Sequence, residues 1–523
     1  MDCRQDGTTC QGAGLWWQSR SFLVFCILVS ALPLLWPAVA PLGDMGDHIG
    51  RYTILAEAGR GPLSRYYAVH WAMVGNLGVD AVVLALHALG IGIEPAAKIA
   101  VLAIPPLTVA GMIALARAAH GRVPASAMLA FPLAYCPAFQ MGFVNFCLAQ
   151  ALMLLAIALW LRLARRQRPI WRVGAFAIVA PLLWLCHALG WALLIVYLFG
   201  IELGRRIERG QSWRRGVPRA ALMVAPMALP ALWMFKPGGD RVAGDSGIWS
   251  IENKLRWILT LFQDRWMAWD LAALGVLILF AYAVVRSRRL SVAPILGVPA
   301  AIGVAIFFGL PYLFRGGAYL DMRMLAPAVM LTLLAVRVRP EPSGAPSGAG
   351  LALVATGFFL ARIIGTTLGY AQLADAQERE LQALTVLPPG GKVLVLANVM
   401  SEGRWNSPRR LHVAGLAITR AGMFTNTQWA VPGQQLVRPI VPDAAPFDRD
   451  PSALVVASAL DEAADFDTAI GRFNRCAFDA VWTVGFPVGR ARSPDLIPIW
   501  AQGDSAVYRV RRGLCLSDAP SVR

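Results

Sequence analysis

The chain has 523 residues, a net charge of +17, 57% hydrophobic residues and only 15% charged ones, with a mean hydropathy of +0.55. These values exclude an ordinary soluble domain and predict an α-helical polytopic membrane protein of about 11–13 spans, since each crossing needs roughly 20 apolar residues. The arginines stand in short clusters between apolar runs, which is the positive-inside pattern and not the continuous basic patch of a nucleic-acid binder.

Arg4 and Arg20 precede the first apolar run, Phe22 to Val39, and predict a cytoplasmic N-terminus, a retained first span and an external segment after it. That external loop, 42–71, opens with Gly43-Asp44-Met45-Gly46-Asp47-His48-Ile49-Gly50-Arg51. On a helix, Asp44, Asp47, His48 and Arg51 stand at i, i+3, i+4 and i+7 and share one face. Two carboxylates, an imidazole and a guanidinium so placed can abstract a proton, ligate a divalent cation or position a phosphate. The plainer alternative is a solvated turn in which the charges neutralise one another.

The run Leu77 to Ile93 carries Asp80 and His87. Ile99 to Leu115, Ala125 to Phe139 and Asn145 to Leu161 count as three crossings ending at the cytoplasmic cluster Arg162, Arg165, Arg166, Arg168 and Arg172. On that count, 77–93 starts and ends on one side, so either it is re-entrant or a boundary is misplaced. Val173 to Gly204 has basic clusters at both ends and therefore predicts two helices turning near Cys186-His187-Ala188, with His187 at the outer apex. A lone intramembrane His is more often packed than a ligand, although ionisable groups at such depth lean towards function.

Ala220 to Phe235 leads to a second external loop, 236–270, with Lys236, Lys254, Arg256 and Arg265. Within it Ile251 to Leu259 predicts an amphipathic interfacial helix, with Trp249, Trp257, Trp266 and Trp269 at the headgroups. Leu271 to Val285 and Pro294 to Leu310 lead in and out again to a third external loop, 311–323, with Tyr312, Arg315, Tyr319, Asp321 and Arg323. Met324 to Val336, a Pro/Ser/Gly-rich linker and Leu351 to Tyr370 complete a transmembrane module, 1–370.

From Ala371 the composition changes to that of a small C-terminal extracytoplasmic α/β domain, 371–523. Strands are predicted over 392–397, 453–457, 480–484 and 506–510, and a helix over 461–474. No phosphate-binding loop, G-x-S-x-G or metal-ligand spacing occurs in it, which predicts an accessory or acceptor-binding role. Cys476 and Cys515 could form a disulfide in an extracytoplasmic region.

A first span followed by an external loop with acidic residues, many further spans and a C-terminal extracytoplasmic domain resembles the GT-C superfamily of integral membrane glycosyltransferases. The resemblance covers the whole chain in architecture and rests, for motifs, on Asp44 and Asp47. It implies a polyprenyl-phosphate sugar donor, a lipid-linked or envelope glycan acceptor, and Asp44 or Asp47 as the catalytic base. With Asp-x-x-Asp-His in place of adjacent acids, a divalent cation (Mg or Mn) would have Asp44, Asp47 and His48 as its ligands. Arg51, Arg315, Arg323 and Lys254 are the cations expected to bind the donor phosphate, with His48 and His187 as ligands or partners. High Ala and Arg usage and the lack of external N-x-S/T sequons agree with a bacterial inner membrane, the acting face being periplasmic. The competing expectations are a transporter or flippase of lipid-linked or anionic substrates, favoured by Asp80, His87 and His187, and a non-catalytic scaffold of a polysaccharide synthesis complex.

Overall fold

The computed structural model describes residues 15–165, 168–234, 247–314, 317–339, 348–398, 401–403, 405–430, 433–448 and 466–511. Among these, six helices are long and apolar enough to cross a bilayer: Ile93–His120, Val144–Ala164, Pro169–Cys186, Ala188–Glu208, Met267–Arg286 and Ala349–Thr385. Shorter apolar helices, Arg20–Val29, Gly78–Ala88, Ala127–Gln140 and Pro294–Gly309, accompany them. The chain is a polytopic helical membrane protein with fewer full-length helices than its apolar runs suggest.

Proline and short turns account for much of the difference. The first run divides into Arg20–Val29 and Leu32–Leu35, the second piece with Pro33 in its opening turn. Ala125 to Phe139 breaks at Pro132 and Pro137 into three short helical pieces, all buried, because each proline removes a backbone donor and crowds the preceding turn.

The parity conflict at 77–93 also resolves. Gly78–Ala88 has 11 residues, a length of about 16 Å and roughly half the hydrocarbon core. The chain then turns at Gly90, whose φ is 90°, and the next helix starts at Ile93 and runs on to His120. The long 173–204 run breaks where the basic flanks require: His187 is extended and its side chain accepts from Leu189 N, capping the second helix.

The strands, in chain order, are β1 (Tyr67–Val69), β2 (Leu290–Val292), β3 (Val336–Val338), β4 (Lys392–Ala397), β5 (Phe424–Thr425), β6 (Val437–Pro439), β7 (Ala480–Val484), β8 (Leu496–Gln502) and β9 (Ser505–Val510). The C-terminal sheet has the order β5-β4-β7-β9-β8. Its β5, β4 and β7 are parallel, and β9 and β8 are antiparallel additions. The sequence pattern anticipates β4, β7 and β9 but not β8, where Pro498 and a register shift beside it disguise an edge strand. The strand expected over 453–457 and the start of the 461–474 helix lie outside the described residues, from which the helix Phe466–Arg472 emerges. Cys476 is disulfide-bonded, while Cys515 lies outside the described residues.

The segment 42–71, expected to be an external loop, is built into this C-terminal region. β1 pairs antiparallel with β6, and Ile54, Leu55, Leu63 and Tyr67 share a core with Leu394, Leu396 and Phe424. The helix Ala349–Leu381 has 33 residues, about 50 Å, so it outruns a core of about 30 Å and carries Glu380 to the sheet. There Glu380 accepts from Trp482 Nε1 at 3.0 Å, Ser505 Oγ at 2.8 Å and Arg410 Nη2 at 2.7 Å. This junction fixes the C-terminal residues relative to the helices.

Candidate functional site

Two glycines set the distance between the acidic helix, Met45–Glu57, and residues 412–421. A Cβ on Gly46 would lie 2.2 Å from His412 O, and one on Gly415 would lie 2.2 Å from Asp47 Oδ1. Only backbones without side chains can pack this closely, and the contact delivers His412 to the carboxylates. Gly46→Ala is expected to push the segments apart and lower activity about 10²-fold, the scale of a 1 Å misplacement. Turnover of the purified, correctly inserted variant is the measurement.

His412 stands between two acids. Its Nδ1 lies 2.5 Å from Asp47 Oδ2 and its Nε2 lies 3.6 Å from Asp44 Oδ1. The shorter contact is a close, buried carboxylate–imidazole pair. Asp47 is fully buried, whereas the Asp44 side chain keeps 17% of its surface. Burial pushes the Asp47 carboxyl up from its ordinary value, with His412 pulling against it. Burial opposes charge on His412, but the Asp47 carboxylate and then Asp44 outweigh it and raise the imidazole. Asp44 is pushed up to about 6, chiefly by burial; His412, Arg323 and Arg51 pull it down and Asp47 pushes it up. The least buried member of the trio is therefore a carboxylate tuned close to neutral pH, the range a general base requires.

The turn bearing Asp44 is held from both sides. Gly43 N and Asp44 N donate to Gln140 O and Met141 O at 3.1 and 3.0 Å. Arg409, nearly fully buried, donates to Pro41 O at 2.6 Å and to Gln140 Oε1 at 2.8 Å. Trp429 packs against His48 and His412, with ring centroids at 5.5 and 5.2 Å. These contacts preorganise Asp44 before any substrate arrives.

The predicted cations separate into different roles. Arg323 exerts its charge on Asp44, its guanidinium lies 4.0 Å from the Phe143 ring centroid, and its Nε is buried without a hydrogen-bond partner among the described residues. Arg51 is consumed by Asp80 at 2.8 Å and Gln435 at 2.6 Å. Lys254 is fully buried and paired with Asp321 and Leu310 O, both at 2.6 Å, so its charge is met within the protein. Asp321→Ala would strand that ammonium, and a loss of about 3–5 kcal/mol is expected in thermal unfolding. Arg315 and Lys236 lie outside the described residues.

The remaining candidates make contacts within the protein. His48 Nε2 donates to Gly142 O at 3.0 Å, and burial holds this imidazole well below its usual range, as the neutral form. Asp80 also accepts from Asn145 Nδ2 at 2.9 Å, His187 caps its helix, and His87 bonds Ile91 O. With His48 turned to Gly142, the set Asp44, Asp47 and His48 does not converge on a metal. No group of three His, Cys, Asp or Glu residues is arranged to hold one among the described residues. Sequence spacing misses His412, Arg409, Asp80 as the Arg51 partner, and Trp429. The usable signal is Gly46 and Gly50, four residues apart, which marks a face for close backbone approach.

Fold and site together define a polytopic membrane protein with a carboxylate–imidazole–carboxylate cluster where its helices meet a C-terminal sheet. ArnT from Cupriavidus metallidurans, solved as a crystal structure bound to undecaprenyl phosphate, is similar over 95% of this chain and 98% of its own, at 15% identity and a TM-score of 0.45. That likeness concerns overall arrangement, and no residue role is carried across from it. No protein-family model and no curated protein matches the chain.

Proposed function

We propose that the protein is a GT-C-like membrane glycosyltransferase that moves a sugar from a polyprenyl-phosphate donor to a glycan or lipid acceptor on the periplasmic face of a bacterial inner membrane. The observation that carries this reading is Asp44, the one partly exposed carboxylate of the trio, tuned to about 6 and under the charge of Arg323. In this mechanism Asp44 takes the proton of an acceptor hydroxyl as its oxygen bonds to the anomeric carbon. The bond from that carbon to the phosphate oxygen breaks, and the phosphate departs with the electron pair. Arg323 stabilises the charge that develops on it. Asp47 orients His412 and keeps it cationic, and His412 in turn keeps Asp44 ionised at neutral pH.

The exposed face of the 248–269 segment supports a lipid-borne donor. Ile251, Leu255, Leu259, Trp249, Trp266 and Trp269 are exposed, while Lys254 is buried. Glu252 and Arg256 are exposed on the same helix, and apolar and charged residues side by side on an outward face suit the headgroup boundary.

The pH dependence follows from the sign of the Asp44 shift. The base must be ionised, so kcat/KM is expected to fall as pH drops through about 6, not through the ordinary carboxylate range near 4. The test of the function is a panel of undecaprenyl-phosphate sugars offered to the purified, reconstituted protein. Release of undecaprenyl phosphate matched by sugar on an acceptor supports the reading; release with none of the panel and with no acceptor overturns it.

A further inference from the structure

A polar cavity lies at the other end of the helices from the Asp44 cluster. Asn145 begins Val144–Ala164 beside Asp80, and Arg165 just past the end of that helix donates to Ala118 O at 2.8 Å. Twenty-one residues of helix span about 31 Å, which separates the Ala118–His120 end from the Asp44 cluster by a bilayer's thickness. At that end a cavity of about 300 Å³ is lined by Arg122, Arg337, Arg339, His120, Gln18 and Ser291, with Trp17 and Val338 among its apolar walls.

Its walls are built. Gln18 is bonded to both Val123 N and Val123 O, and Ser126 Oγ donates to Leu333 O and Val336 O at 3.0 and 3.2 Å. The β2–β3 ladder forms another side. His120 Nε2 donates to Leu334 O at 2.8 Å while its Nδ1 accepts from Arg337 Nε at 2.8 Å. That pattern needs a neutral imidazole, so the ring aims Arg337 without adding or removing charge. The acid at hand is Glu208, 3.4 Å from Arg337 Nη2 in a contact 39% and 28% exposed. One partly solvated carboxylate leaves two of the three guanidiniums without a carboxylate partner among the described residues. Arg122 and Arg339 are exposed.

We infer that this cavity, gathering Arg122, Arg337 and Arg339 over apolar walls on the arginine-rich face, binds a phosphate group, either that of an anionic lipid headgroup or free phosphate. Guanidiniums suit phosphate through paired N–H donors, and basic pockets at this level of a helical bundle suit lipid phosphates. The site is independent of the proposed transfer reaction, and its residues take no part in it.

The test uses the full chain purified in detergent, with the double variant Arg122→Gln/Arg339→Gln. Native mass spectrometry against phosphatidylglycerol and phosphatidylcholine is expected to show phosphatidylglycerol retained at least tenfold more, and that preference lost in the variant. Stabilisation of the lipid-free wild type by inorganic phosphate, absent in the variant, would instead name free phosphate as the ligand. The control Arg214→Gln/Arg215→Gln, on the same basic face outside the cavity, is expected to bind as wild type. Equal loss in that control, unchanged binding in the double variant, or no response of the wild type to either probe would overturn the proposal.

Discussion

Asp44→Asn is expected to reduce transfer by about 10²–10⁴-fold, the usual contribution of a positioned general base, with membrane insertion and thermal stability preserved. The amide keeps the size of the side chain and its place beside His412, 3.6 Å away, but cannot accept the acceptor's proton. Asp47→Asn acts differently. Asp47 is buried and touches His412 at 2.5 Å, so its loss lets His412 become neutral and moves Asp44 indirectly. The two variants are therefore distinguishable: Asp44→Asn loses turnover at every pH, whereas Asp47→Asn retains turnover that recovers towards alkaline pH as Asp44 ionises. Equal, pH-independent loss in both would assign the base role to the pair and not to Asp44.

Arg323→Gln is expected to lower kcat by about 10²–10³-fold with a smaller change in KM, the scale of removing one donor to a developing anion. The argument is that Arg323 carries a buried Nε with no protein partner among the described residues, in contact with Phe143 and under the field of Asp44. A charge that acts on the base, and forms no carboxylate hydrogen bond among the described residues, is free to meet a developing anion. Arg323→Lys should recover part of the rate, because it restores charge without the planar fork. Arg51→Gln offers the contrast: its guanidinium already serves Asp80 and Gln435, so it should lose stability before it loses chemistry.

The acidic stretch is legible in the sequence because its signal is local. Four polar residues at helical spacing after an apolar run need no tertiary information, and Asp47, His48 and Arg51 do fall on one buried helix. What each of them does is not legible, because the partners are remote. Asp80 takes Arg51, and Gln435, 384 residues away, takes its other nitrogen. His412 is brought in by backbone contacts at Gly46 and Gly415, and neither hydropathy nor motif spacing registers such a contact. Lys254 reads as a free external cation only until Asp321, 67 residues on, is seen to pair with it. The helix boundaries are less legible for a related reason. Apolar composition continues through Pro132 and Pro137 while the helix does not, so a buried broken segment is indistinguishable by composition from a crossing. The strands β4, β7 and β9 were readable as short apolar runs, and their being joined to β1 and β6 of a shared structure was not.

The dependence of Asp44 on His412 is the feature on which the mechanism turns, and the pH profile of kcat/KM in His412→Gln tests it most directly. Attraction to the imidazolium lowers the Asp44 carboxyl, so replacing it with a neutral amide should raise that carboxyl and shift the acid limb upward from about 6 by about one to three pH units. An acid limb that stays where the wild type has it, with turnover intact, would show that His412 does not act on the base and would contradict the account.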